Sequence, residues 1–223
     1  MADFPFDVVA FDLDGTLADT APDLTAALNH ALARLGRASV PAADVRHMVG
    51  HGARALLRQG LLADGIDDEA EVERGLPILL DHYAAHIADA SRPFEGVEPA
   101  LDALAARGVA LAICTNKIES LAIRFVDAIG WSGRFAAIVG GDTMGVAKPD
   151  PAPLREAIAR AGGGRAAFVG DSITDTRTAQ ALGIPCIALT FGFSDRPPEQ
   201  LGADMLIDHF DALLPALERI GAR

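Results

Sequence analysis

Val8-Val9-Ala10-Phe11 runs without interruption into Asp12-Leu13-Asp14-Gly15-Thr16-Leu17. Four apolar residues that end on two carboxylates and a turn glycine describe a strand buried on both faces. Its acids lie at its carboxyl end, where open α/β sheets take their ligands. Asp-Gly is also an ordinary turn pair and Asp an ordinary helix cap, so the segment gains meaning only from what surrounds it.

Further apolar runs of strand length follow at Val109–Cys114, Ala136–Val139, Ala166–Val169, Pro185–Leu189 and Met205–Ile207. Helical stretches separate them, at Val97–Arg107, Ile118–Ile129, Pro151–Ala161 and Thr174–Leu182, with Gly108, Gly130 and Gly183 where C-terminal caps belong. Strand alternating with helix predicts an α/β fold with a doubly wound parallel sheet. One interval breaks the rhythm: roughly ninety residues separate the first strand from the second, far more than a βαβ crossover uses. Leu24, Leu28, Leu32 and Leu35 share one helical face within it, and Val45, Met48 and Val49 another. Ala53–Leu57 and Asp67–Ala88 complete a set of four helices, and no strand is expected there. The interval predicts a helical domain over residues 19–91, returning near Arg92-Pro93-Phe94, with the α/β core formed by residues 1–18 and 92–223.

The 223 residues are half apolar and carry a formal charge of −12. That charge disfavours nucleic acid and anionic membranes as partners, while a small phosphate responds to its local site. Cys114 and Cys186 lie in apolar runs and read as buried thiols of a reducing compartment. The opening Met-Ala-Asp-Phe-Pro has no basic or apolar signal region, so a cytoplasmic location is expected.

The fourth strand ends as the first does, in Gly170-Asp171-Ser172-Ile173-Thr174-Asp175. If the strand order reverses beside strand one, strands one and four are neighbours and their acids meet. Two carboxylates 4 Å apart repel by about 4 kcal/mol at an effective dielectric near 20, so Asp12, Asp14, Asp171 and Asp175 together call for a cation. Oxygen ligands alone point to Mg²⁺. Strand two ends in Cys114-Thr115-Asn116, a hydroxyl followed by backbone donors, and strand three is followed by Lys148-Pro149-Asp150-Pro151. Only two lysines occur beside seventeen arginines, Lys117 and Lys148, and both adjoin these strand ends. That scarcity marks Lys148 as functional and leaves Lys117 open. His82 and His86 at i, i+4 spacing lack the following glutamate of a zinc-protease helix and read as helix side chains.

Taken together, the four segments resemble the motifs of the haloacid dehalogenase superfamily, in order and spacing, along the whole chain. The resemblance implies Asp12 as nucleophile, Asp14 as general acid/base and Lys148 as charge balance. It also implies that Thr115 and Asn116, with Gly15 and Thr16, hold the substrate. Asp171 would bind Mg²⁺ with Asp12 and the carbonyl of Asp14, supported by Asp175, and the helical insert would be a cap. The presence of Asp14 favours phosphate chemistry over dehalogenation. The absence of lysine from residues 1–116 excludes a cap-lysine Schiff base. A phosphomutase and an inactive phospho-ligand-binding module remain as alternatives.

Val49-Gly50-His51-Gly52-Ala53, Gly140-Gly141-Asp142 and Leu189-Thr190-Phe191-Gly192 resemble segments of bacterial phosphoglycolate phosphatases, which implies 2-phosphoglycolate as substrate. Another small phosphomonoester, or pyrophosphate, is the alternative. His51, Gly52 and Arg54, at the start of a helix, are then candidates to read the substrate's carboxylate; the alternative is that Gly50 and Gly52 form a tight interhelical turn and Arg54 is solvated. Oligomeric state is left open.

Overall fold

The computed structural model describes residues 4–194 and 196–222; Met1, Ala2 and Asp3, part of the N-terminal opening read above, lie outside the described residues. The strand β1 (Val8–Phe11) is followed by a two-residue strand β2 (Ala18–Asp19). The helices α1 (Ala21–Arg34), α2 (Ala42–Arg46), α3 (Ala53–Ala63) and α4 (Glu69–Ala85) come next, and then β3 (Arg92–Pro93). Alternation resumes with α5 (Val97–Ala105), β4 (Ala110–Cys114), α6 (Glu119–Ala128), β5 (Ala137–Val139) and α7 (Ala152–Arg160). It closes with β6 (Ala166–Gly170), α8 (Ile173–Leu182), β7 (Cys186–Leu189), β8 (Met205–Ile207) and α9 (Leu213–Gly221).

Six of these strands form one parallel sheet in the order β5-β4-β1-β6-β7-β8, so the order reverses at β1. Phe11 lies opposite both Ile113 and Val169. One residue later Asp12 N–H donates to the Val169 carbonyl at 2.9 Å, and Thr115 N–H donates to that of Val139 at 3.0 Å. This register brings the ends of β4, β1 and β6 level, placing Thr115, Asp12 and Asp171 side by side at the switch point.

Alternate residues of β1 feed two cores. Val8 and Ala10 pack with Leu154, Ala157 and Phe168 on one face. Val9 and Phe11 belong to a larger core that continues through Leu13 and Leu17 into Leu28, Leu57 and Leu79 of the helical insert. Burial on both faces is what the unbroken apolar strand runs required. Gly130 and Gly183 adopt φ of 81° and 76° just past α6 and α8, the left-handed residues that close those helices.

The expectation of no strand in the long interval needs one correction. β2 and β3 pair antiparallel, Ala18 with Pro93 and Asp19 with Arg92, where the chain leaves the sheet and returns to it. Two residues are too few to show an alternating pattern in sequence. Beside this pair, buried Asp23 of α1 accepts from Ala90 N–H at 3.0 Å, Ser91 N–H at 2.8 Å and Ser91 Oγ at 2.6 Å. Asp23→Ala would strand all three donors, so urea unfolding should show a loss of about 3 kcal/mol; a loss below about 0.5 kcal/mol would mean water replaces the carboxylate freely. Among the described residues no helix is long and apolar enough to cross a membrane.

Candidate active site

Asp12, Asp171 and Asp175 each offer an oxygen within 4.8 Å of the others, and all three side chains are buried. Each arrives by a separate local cause. Asp12 continues β1. Asp171 follows β6, where its Oδ1 accepts from Thr16 Oγ1 at 3.0 Å and its Oδ2 from Phe193 N–H at 2.6 Å. The loop carrying Phe193 comes this close because residue 192 is glycine: a Cβ there would lie 2.2 Å from that of Asp171. Asp175 closes a capping box with Ser172 at the start of α8, its Oδ2 accepting from Ser172 N–H at 3.0 Å and Ser172 Oγ at 2.6 Å.

Lys148 is buried among these acids, its Nζ 2.6 Å from Asp175 Oδ1 and 2.9 Å from Asp12 Oδ1. Lys148 thus pairs with both carboxylates, more closely with Asp175. One ammonium among three carboxylates leaves an excess of negative charge. Burial, then the neighbours Asp175 and Asp12, pushes the Asp171 carboxyl up to about 8. Burial pushes Asp12 up to about 6 against the pull of Lys148, with Asp175 and Asp14 adding to the rise. For Lys148 burial acts downward, but Asp12 and Asp175 outweigh it and its ammonium is raised well above its ordinary value. The crowding of three carboxylates around one ammonium and the all-oxygen donor set fit a hard divalent cation.

Asp14 stands apart from this triad. Its two oxygens accept from Lys117 Nζ at 2.6 and 2.8 Å, and Oδ1 also from Thr20 Oγ1 at 2.7 Å. Any part Asp14 takes in holding a cation therefore falls to its backbone carbonyl. Gly15, at φ 83°, sits against Asp171 and Phe193, and the Thr16 hydroxyl is engaged by Asp171. Gly15 and Thr16 thus support Asp171.

A cavity over this site is lined by Asp12, Asp14, Thr115, Asn116 and Lys117 from the sheet edge and by Gly50, Gly52, Leu56, Leu79 and Tyr83 from the insert. Thr115 is buried beneath it. The Asn116 amide donates to the carbonyls of Gly50 (2.9 Å) and Lys148 (3.1 Å) and accepts from Lys148 N–H (2.9 Å). It braces three segments, and what it can offer a phosphoryl group is its backbone N–H. Gly140 and Asp142 likewise brace the start of α6, with Asp142 Oδ1 accepting from Glu119 N–H at 2.8 Å.

Two candidates from the insert lie away from the cavity. Arg54 points out of the cavity to Glu69 and Glu73 of α4, with its side chain 45% exposed. Its position in α3 presents it to the acidic first turn of the next helix, a phase between helices that sequence spacing does not fix. His51 is exposed and borders a separate depression beside Ser172 and Thr174. Gly52 does line the cavity. His82 stacks on His30 of α1, ring centroids 4.2 Å apart, as a helix-surface side chain. Sequence reading missed Thr20 and Tyr83 and left Lys117 undecided. The available signal was scarcity, since Tyr83 is the sole tyrosine and Lys117 one of two lysines.

The family model for haloacid dehalogenase-like hydrolases matches residues 9–189. A phosphoglycolate phosphatase of Mesorhizobium japonicum is 46% identical over 209 residues, covering 92% of each chain. One from Caulobacter vibrioides is 45% identical, over 91% of this chain and 86% of its own length. Among solved structures, a predicted phosphoglycolate phosphatase from Haemophilus somnus 129pt superposes with a TM-score of 0.88 at 29% identity, covering 95% of this chain and 98% of its own.

Proposed function

The chain belongs to the haloacid dehalogenase-like hydrolases, and from that premise we propose that it is a Mg²⁺-dependent phosphomonoester hydrolase whose substrate is 2-phosphoglycolate. The observation that carries the reading is the buried Asp12 at the end of β1, its Oδ1 2.9 Å from Lys148 Nζ and a pair of further carboxylates beside it. The names of the relatives supply the substrate.

In this reading Asp12 attacks phosphorus, the Asp–O–P bond forms and the ester P–O bond breaks. Asp14 gives its proton to the departing alkoxide oxygen, then takes one from the water that attacks the aspartyl phosphate. Free phosphate and the Asp12 carboxylate are the result. Lys148 lowers the charge facing the nucleophile, and the backbone N–H groups after Thr115 hold the phosphoryl oxygens. Asp12, Asp171 and the Asp14 carbonyl, backed by Asp175, would hold Mg²⁺, which supplies charge neutralisation at the transferring phosphoryl group.

We assign residues 19–91 as the cap and residues 1–18 with 92–223 as the core. Support comes from the insert's contribution of Gly50, Leu56, Leu79 and Tyr83 to the cavity over Asp12. The partner is a small phosphorylated metabolite, and the buried free thiols Cys114 and Cys186 suit a reducing cytoplasm. The test is a panel of phosphomonoesters and pyrophosphate with Mg²⁺ and with chelator. Phosphoglycolate should give the highest kcat/KM, with turnover abolished by chelation. A requirement for a sugar acceptor would make the protein a mutase, and no turnover of any ester would leave a binding module.

A pH-dependent metal effect follows. The Asp171 carboxyl is raised in the folded protein to about 8, above its unfolded value. As pH rises past the ordinary carboxylate range, the unfolded chain therefore sheds this proton first, and the cation-free protein loses stability up to about pH 8. Mg²⁺ binds the ionised carboxylates. Its increment to Tm should therefore be larger at pH 8 than at pH 5.5 in scanning calorimetry; an equal increment at both would show that the triad does not hold the ion.

A further inference from the structure

The cavity over Asp12 holds more polar machinery than a phosphoryl group needs. Lys117 is the one cation among the described residues that line it, and it is buried. Its Nζ donates to both oxygens of Asp14 and sits 4.7 Å over the ring of Tyr83. Tyr83 is only 2% exposed, and the side chain its hydroxyl engages is Lys117. An ammonium only donates, so the phenol oxygen accepts from it and the phenol proton remains to be given to an acceptor from outside the chain. Burial pushes the phenol up to about 12, with Lys117 opposing, so it stays a proton donor throughout the neutral range. Gly50, Gly52 and Ala53 bring the start of α3 to the same cavity, and no side chain caps that helix. Its first N–H groups are open to an anion because Arg54 turns away to α4.

We infer that Lys117 and Tyr83, with the uncapped start of α3, form the site for a second anionic group of the substrate, a carboxylate close to the phosphoester, and that Lys117 is drawn from Asp14 to meet it. The inference rests on the phosphomonoesterase reading above and deepens it. Both Asp14 oxygens accept from Lys117 here, so neither is free to present a proton to a leaving group. A substrate with its own carboxylate competes for that ammonium and releases Asp14, which keeps its tie to Thr20. An ester without the carboxylate leaves the clamp in place. Specificity is thereby expressed in turnover as well as in binding.

Ethyl phosphate has the phosphoglycolate skeleton without the carboxylate, and the ratio of kcat/KM for the two esters is the readout. Wild type should favour phosphoglycolate. Lys117→Met should shrink that preference roughly thirtyfold or more, the loss expected of a charge-assisted contact. Tyr83→Phe should shrink it roughly three- to tenfold. A purely structural role would depress both esters alike and leave the ratio unmoved. Should Lys117→Met fail to fold by near-ultraviolet circular dichroism, Tyr83→Phe decides alone, because it removes one contact of Lys117 and leaves both of that lysine's bonds to Asp14 in place. A wild-type preference that survives in the folded variants within twofold overturns the assignment of Lys117 and Tyr83 while leaving the phosphatase reading intact. A wild type with no preference, or no turnover, withdraws the phosphoglycolate reading and this inference with it.

Discussion

Asp12→Asn is expected to lower kcat by about four orders of magnitude or more, as loss of a covalent nucleophile does, with no loss of folding stability. The amide keeps the shape of the side chain but cannot attack phosphorus. The carboxylate it replaces is buried, and that burial with the charges of Asp175 and Asp14 outweighs the pull of Lys148. Removing a crowded charge costs the fold little, so Tm should hold or rise. Steady-state kinetics and calorimetry on one preparation check both halves, with mass spectrometry to exclude deamidation back to aspartate. In wild type a fluoride–metal mimic of the phosphoryl group should lie beside Asp12. Activity within tenfold of wild type would end the covalent route.

Lys148→Met and Asp171→Asn should both remove most activity, yet shift stability in opposite directions. Lys148 is the ammonium between Asp12 and Asp175, and deleting it leaves buried acids facing one another. Breaking a buried pair from one side costs about 3–5 kcal/mol, and the loss of charge balance should cost about a thousandfold in kcat. Above about pH 8, where the Asp171 carboxyl is ionised, Asp171→Asn deletes one of the repelling charges. Its amide oxygen can accept from Phe193 N–H and its NH₂ group can donate to the Thr16 hydroxyl, replacing both native bonds. The cation-free protein should therefore melt higher than wild type while Mg²⁺ no longer raises Tm. If Lys148→Met keeps wild-type kinetics, the end of β5 does not serve the phosphate. If Asp171→Asn melts lower than wild type without metal, the triad is not under electrostatic strain.

What could be read in sequence was what the sheet repeats. Each buried parallel strand needs an unbroken apolar run, so β1 and β8 could be placed to the residue and β4, β6 and β7 to within one residue at either end. A ligand-bearing strand end needs acids just beyond that run, which placed Asp12, Asp171 and Asp175. Lys148 was legible because lysine is nearly absent. The contents of the cavity's other wall were not. Whether Arg54 or Tyr83 faces Asp14 depends on how α3 and α4 are rotated against β1. Spacing along one helix fixes which residues share a face, not which neighbour that face meets. Arg54 had the charge for the role, but Glu69 and Glu73 claim it. Asn116 had the right chemistry as well, and three backbone groups claim it.

The burial of both lysines makes the protein's amine chemistry a clock. An acylating reagent finds no lysine on the folded surface, only Lys117 under the helical insert and Lys148 at the triad. If the insert acts as the proposed cap, acylation of Lys117 would report its lifting from the sheet edge, and acylation of Lys148 a deeper opening. A peptide map taken against reaction time would separate the two rates without any introduced label.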